Sequence, residues 1–503
     1  MEREVGLDQL GDLALHIILS KLGPEDTVRV SCVSRRLRLS TSEDSLWALF
    51  CFQDLQLSTP QDHQGNPASS FKAAYQLWRE AFAMYPWPLV KRVKRCWDKL
   101  KNWLSNDFPE VEATLRSGAS ESDIQQLETR LKVKLPLPTR LLYRFHDGQE
   151  RTDEGHSSTW LGSSLGIIGG YSFYNHLVNV YLLPISQVIE GTRMVIRHLG
   201  FSSRSKYIVV AASAYRPKKF FLNCTNGQLY VGTSNLPTDG EMIQCVPNAL
   251  IRSVHDLHGD QQQDAMLLWL EEHGRRLENG IIKVCEEGNV RSISLFPEVP
   301  PLCSTAVTNG VQVRASAAFV PELANLQDSA EKYLFAYSIR MSLLPGGCII
   351  DGMTFSSCQL NWRHWIIRAN EAIISDVNGE AVIGQFPLLH PGEDEFVYES
   401  CTPLSSSSGS VEGSFTFVPG SNGGHRCDEI VNLVCGIQAK TKRKVCRVVP
   451  GEVTSDRQLE LARYALESIA TKRPVIVRLA DPKGRPFDVQ VARFPLQKPD
   501  YVF

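Results

Sequence analysis

The chain has 503 residues, too many for one hydrophobic core, so several domains are expected. Its formal net charge of −2 leaves no electrostatic footprint for nucleic acid or an acidic membrane. Its thirteen cysteines are odd in number, scattered and without a C-x-x-C pair, which argues against a disulfide framework or a zinc site and suits a reducing compartment, cytoplasm or nucleus. No apolar run reaches membrane-spanning length, and the Met-Glu-Arg-Glu start does not read as a signal peptide. Asn223-Cys224-Thr225 matches a glycosylation sequon that a cytosolic chain would not use.

The first predicted element is a helix whose Leu10, Leu13, Ile17, Ile18 and Leu22 form an apolar stripe. Pro24 opens a second short helix, with Glu25 and Asp26 at its positive end. Cys32-Val33-Ser34-Arg35-Arg36-Leu37 and Ser45-Leu46-Trp47 follow. So short a segment cannot bury that much apolar surface alone, so a partner or another part of the chain must cover it. This order of motifs resembles the F-box, three small helices that dock on the Skp-type adaptor of a cullin–RING ubiquitin ligase. The resemblance implies that Leu10, Leu13, Ile17, Ile18, Leu22, Val33, Leu46 and Trp47 bind the adaptor or build the small fold that does. Gly11 stands where the family usually has proline, a less rigid helix start.

Residues 57–70 read as a loop. Phe71, Ala74, Tyr75, Trp78, Phe82 and Tyr85 then recur at helical spacing up to Pro86 and Pro88, and a further helix carries Val93, Trp97, Leu100, Trp103 and Leu104. These aromatic stripes are expected to be core that packs the F-box onto the next domain. That domain opens with Ser120 as an N-cap and Asp123 three residues on. Ile124, Leu127, Leu131 and Val133 mark its buried face; Leu135-Pro136-Leu137-Pro138 and a helix stopping at His146-Asp147-Gly148 follow. The pattern resembles the SUKH family, which implies an α+β fold over 118–285. Strands are expected at Lys206-Tyr207-Ile208-Val209-Val210-Ala211, Lys219-Phe220-Phe221-Leu222 and Gln228-Leu229-Tyr230-Val231, and a helix near 265–277 buries Leu267, Leu268, Leu270 and Leu277.

After a proline-rich joint at 297–301 the hydrophobic period switches to two, as at Val311, Val313, Ala315, Ala317, Phe319 and at Tyr333, Phe335, Tyr337, Ile339, Met341. Further strands are predicted at 362–368, 395–400, 413–418 and 487–494. This pattern means a β-sandwich or barrel with its own two-sheet core, expected to fold by itself from residue 300 onward. Arg363-His364-Trp365-Ile366-Ile367, Gly384-Gln385-Phe386-Pro387, His390-Pro391-Gly392, Phe396-Val397-Tyr398-Glu399-Ser400 and 409–415 resemble ApaG, a family with a fibronectin-like sandwich. The order F-box, SUKH, ApaG resembles a plant F-box family of the Skp-interacting-partner type, whose animal counterpart is F-box only protein 3. The expected fold class is therefore multidomain α+β: a small all-α F-box at 1–52, a helical linker at 53–117, an α+β SUKH-like domain at 118–285 and an all-β ApaG sandwich at 299–503. Residues 421–477 interrupt the sandwich before its last strand. They carry Lys440-Thr441-Lys442-Arg443-Lys444 and a helical pattern at 455–470. They are either a splicing or assembly artefact or a surface loop bearing a helix.

Other motifs carry less. Gly162-Ser163-Ser164-Leu165-Gly166 matches a nucleophile elbow, but its flanks are loop-like, so Ser164 reads as part of a turn and a hydrolase is the third-ranked function. Gly379-Glu380-Ala381-Val382-Ile383-Gly384 lies where ApaG relatives often show a glycine-rich motif, with Ala381 in place of the middle glycine; a strand-to-turn pair is expected. His255 and His258 lack a third ligand and read as a cap or loop. The basic run reads as a solvated loop. The expected function is a substrate-recognition subunit of a Skp–cullin–F-box ligase. It has no catalytic residues, metal or cofactor, and its SUKH and ApaG region binds an unidentified target protein. The alternative is a phosphorylated-metabolite or nucleotide-binding protein acting through the ApaG domain.

Overall fold

The structure, a computed structural model, describes residues 10–150, 165–174, 176–199, 206–213, 218–258, 261–287, 290–420 and 485–503. The 421–477 segment, its basic run and helical pattern, and Gly162, Ser163 and Ser164 lie outside the described residues.

Four helices open the chain: α1 (Asp12–Leu22), α2 (Pro24–Val30), α3 (Arg35–Ser40) and α4 (Asp44–Leu55). Gly23 sits at φ +79° between α1 and α2, a conformation open to glycine, and Pro24 starts α2 where its missing N–H costs nothing. The Ser34 hydroxyl caps α3 by accepting the Leu37 N–H at 3.2 Å. The domain boundary expected after residue 52 cuts α4, whose last buried side chain is Leu55.

Helices α5 (Phe71–Ala81), α6 (Trp87–Asp107) and α7 (Pro109–Glu112) follow. The helical linker packs the F-box onto the next domain, as expected. α6 packs on the middle domain's helices α9 (Leu137–Phe145) and α12 (Ala265–Glu278), and Arg92 makes a bidentate pair with Glu271 at 2.7 and 2.6 Å. Helix α8 (Glu121–Leu131) starts with a complete capping box: Ser120 Oγ accepts the Asp123 N–H and Asp123 accepts the Ser120 N–H. Asp264 is buried at the start of α12. It accepts the Leu267 N–H at 2.9 Å as a cap and ties α12 to α9 through Thr139. All four leucines predicted for the buried side of α12 are buried.

The middle domain is an eight-stranded sheet of order β6-β5-β4-β3-β2-β1-β8-β7. Its strands are β1 (Gly169–Phe173), β2 (His176–Leu182), β3 (Tyr207–Ser213), β4 (Lys219–Asn223), β5 (Leu229–Gly232), β6 (Met242–Gln244), β7 (Lys283–Glu287) and β8 (Val290–Ser294), with α10 (Ile185–Leu199) and α11 (Leu236–Asp239) between them. The three predicted runs become β3, β4 and β5. The boundary expected at residue 285 falls inside β7: the last hairpin belongs to this sheet, because β8 pairs with β1.

The sandwich comprises β9 (Cys303–Thr308), β10 (Val311–Phe319), β11 (Tyr333–Leu343), β12 (Cys348–Ile350), β13 (Met353–Phe355), β14 (Ser357–Ala369), β15 (Ala372–Glu380), β16 (Leu388–Leu389), β17 (Phe396–Leu404), β18 (Ser408–Gly420) and β19 (Phe487–Gln497). One sheet runs β17-β11-β10-β9 and the other β15-β14-β18-β19, with β16 also on β14. Trp365, Phe415, Phe417 and Phe494 meet Phe335, Ile339 and Val313 in one buried core. Phe415 pairs with Val489 and Phe417 with Phe487, so the strands flanking 421–484 are immediate neighbours, as expected. The last residues return to the middle domain: the Val502 N–H donates to Cys245 O at 3.0 Å, and Phe503 stacks on Trp269 at 5.3 Å.

Candidate functional site

The N-terminal helices form the candidate docking face. Helix α1 is apolar on both sides, which one packing partner cannot satisfy. Leu15 and Leu19 point inward and are buried, and beneath them Thr27 donates its hydroxyl to Leu19 O at 3.2 Å. Leu13, Ile17 and Leu22 face outward and are exposed, Leu13 by 76%. Val33 is 74% exposed beyond α2, and Val28 and Leu39 add to the apolar surface. Leu10 and Ile18 are half-buried. Arg36 donates to Leu10 O at 2.6 Å and to Asp12 at 2.8 Å, holding α3 against the start of α1.

Leu46 and Trp47 take the second of the two expected roles and build the small fold itself. They are buried in the chain's own core, out of reach of a partner. Trp47 donates to Thr41 O at 2.8 Å and packs on Phe50 and Tyr75. They fasten the small domain to α5, as does Asp54, which accepts bonds from Tyr75, Trp87 and Lys91. Burial raises the Asp54 carboxyl, but those three donors outweigh it and hold the group below its ordinary value. Sequence reasoning missed Leu15 and Leu19 as the inward pair and Val28 and Leu39 on the outside. The i, i+4 spacing of Leu15 and Leu19 was the available signal.

The sandwich motif at 379–384 is a strand-to-turn reversal. Ala381, Ile383 and Gly384 all have positive φ, Val382 and Gln385 bridge each other, and Arg363 donates to the Ala381 and Glu380 carbonyls. A hollow of about 310 Å³ elsewhere in the sandwich is lined by His390, Glu393, Asp394, Glu395 and Phe396, among others. Glu395 is already paired with Arg314, and the hollow's lining offers a phosphorylated ligand no lysine or arginine. His255 lies in a turn and bonds Cys224 O at 2.7 Å, while His258 is exposed; among the described residues no group of His, Cys, Asp and Glu has the arrangement of a metal site. No described helix is long and apolar enough to cross a membrane.

A family model described as F-box-like matches residues 12–53, and one described as ApaG domain matches 324–419. The chain is 56% identical over 501 residues to F-box protein SKIP16 of Arabidopsis thaliana, covering 99% of this chain and 100% of that one. It is 27% identical over 426 residues to F-box only protein 3 of Homo sapiens, covering 82% of this chain and 79% of that one. Protein ApaG of Nitrosomonas europaea is 33% identical over 127 residues, covering 25% of this chain and 90% of that one.

Proposed function

This chain belongs to the F-box protein family that includes Arabidopsis SKIP16, and we propose that it is the substrate-recognition subunit of a Skp–cullin–F-box ubiquitin ligase. The observation that carries the proposal is the exposed apolar face of Leu13, Ile17, Leu22 and Val33 on the segment that matches the F-box. A Skp-type adaptor covers that face, with Leu10 and Ile18 at its margin. The middle and ApaG domains receive the target protein. The chain contributes proximity: it holds a target where the ubiquitin-loaded enzyme can reach it, and does no covalent chemistry itself. Cytoplasm or nucleus is the compartment in which it works.

The test is Ile17→Asp with Leu22→Asp. These side chains are 52% and 41% exposed, so aspartates meet water in the free protein and the fold survives. In the complex each aspartate sits in an apolar interface at a cost of several kcal/mol. The double variant is expected to keep its melting profile and lose adaptor binding in a pull-down. Undiminished adaptor binding overturns the proposal.

A further inference from the structure

Of the four lateral edges of the sandwich sheets, three are covered. β9 and β19 close on each other: Ser304 Oγ donates to Ala492 O at 2.7 Å and the Gln490 N–H to Thr308 Oγ1 at 3.2 Å. β17 lies against β1 of the middle domain, where Tyr174 bonds Ser400 at 2.8 Å and Ser172 donates to Glu399. The fourth edge is β15, and among the described residues its sheet ends there.

Open edges in monomeric proteins are usually blunted by charged side chains, lysine above all, by proline or by bulges; β15 has a bulge and two acidic residues, which act against a second copy of itself. β15 carries Ala-Ile-Ile-Ser-Asp-Val-Asn-Gly-Glu, with neither lysine nor proline. Its register slips against β14: Ile367 pairs with Ser375 but Arg368 with Ile373, so Ile374 is the extra residue of a bulge. Neighbouring isoleucines therefore both emerge into solvent, 56% and 49% exposed, and Val377 is exposed farther along the strand. The strand and its flanking turns carry charge of one sign: residues 369–389 contain Glu371, Asp376 and Glu380 and no Lys, Arg or His, the neighbouring cation Arg363 coming from β14 and bonding the Glu380 carbonyl. Arg493 pairs with Glu371 and His364 with Asp376, but both carboxylates remain largely solvent-facing. Antiparallel pairing with a second copy would set these carboxylates against each other, which disfavours self-association. A strand of opposite charge meets no such penalty.

We propose that β15 is a strand-capture edge: an extended segment of the target protein, alternating β-branched and basic residues, adds to the sheet beside Ile373, Ile374 and Val377. Main-chain hydrogen bonds supply affinity, and the isoleucines and acidic rim supply selectivity. This rests on the receptor reading above and assigns the target's binding mode.

The probe is a fluorescein-labelled peptide of alternating lysine and valine, with its glutamate–valine counterpart as control, titrated into the full chain by anisotropy. The lysine peptide is expected to saturate and to bind at least about tenfold tighter than the control. Ile373→Lys with Val377→Lys, both on exposed side chains, should weaken it by at least about tenfold through like charges opposed across the ladder. Adaptor binding should stay unchanged in that variant, and loss of adaptor binding by the wild-type chain would instead count against the receptor reading. Ile374→p-benzoylphenylalanine should photo-crosslink to the lysine peptide. Equal binding of both peptides, full binding by the lysine variant, or a crosslink to a second copy or to the chain's own 421–484 overturns the proposal.

Discussion

Among the described residues, Lys218 is the most demanding, because its ammonium is wholly buried. It lies 2.8 Å from the Tyr171 hydroxyl, 2.7 Å from Phe503 O and 3.6 Å from Glu322. Glu322 in turn accepts from Tyr171 at 2.8 Å and bonds His176 Nε2 at 2.8 Å. Burial pulls Lys218 below its ordinary value. Burial alone would push Glu322 up, but the Lys218 ammonium and the His176 bond outweigh it and hold the carboxyl at about 2. The folded value lies below the ordinary 4.5, so the pair's stabilisation is present above 4.5 and fades as pH falls toward 2. Lys218→Met takes the buried ammonium from the Glu322 carboxylate, leaving only Tyr171 and His176 beside it, and we expect it to cost about 3–5 kcal/mol in urea unfolding at neutral pH. Adding Glu322→Gln should restore part of that loss. A Lys218→Met protein as stable as wild type would mean the pair contributes nothing.

Elements with a strong period were legible in the sequence. The alternation from Val311 to Phe319 is β10 from end to end, and that from Tyr333 to Met341 lies within β11. β1 was not legible, because Gly169 and Gly170 open it and glycine is a poor strand former. Packing requires them: a Cβ on Gly170 would lie 1.6 Å from Val178 O, and Gly169 has φ +77°. α1 was half legible, since spacing counts apolar residues but does not tell which side the chain itself covers. For the same reason spacing left open whether Leu46 and Trp47 meet a partner or build the fold, and burial assigns them to the core. The Lys218–Glu322 pair and the bulge on β15 join residues distant in sequence or depend on register, which no local pattern reports. Strand pairing also decides what 421–477 means for the sandwich. β18 and β19 share a ladder from Ser408↔Gln497 to Phe417↔Phe487, so the intervening chain leaves and returns at one end of one hairpin. Replacing 421–477 with a short turn should leave that ladder intact and raise stability by about 1–2 kcal/mol through the shorter loop. Thermal melting of both proteins checks this, and an unfolded deletion protein would show that the segment belongs to the core.

At the scale of the molecule, the middle domain and the sandwich share a seam that neither completes alone. The sandwich contributes Glu322 to a buried cluster whose ammonium, Lys218, comes from the middle sheet. It also sends its last residues back: Trp269 Nε1 donates to Val502 O at 2.8 Å, and Arg276 lies 4.6 Å over the Phe503 ring. A fragment beginning at residue 300 would leave Glu322 without its buried cation and Phe503 without Trp269, so the expectation that the sandwich folds alone is replaced by one of mutual dependence. Buried charge and apolar contact across an interface oppose independent domain motion. The full chain should therefore unfold its middle domain and sandwich in one calorimetric transition. Phe503→Ala removes the stacked ring from beside Trp269 and should destabilise by about 3 kcal/mol, the low end for emptying a phenylalanine site. Because the seam couples both sides, amide protection should fall in β10 and β11 as well as in β3 and β4. If exchange rises only around Trp269 while the sandwich amides stay protected, the two domains are stable independently and the seam is contact without coupling.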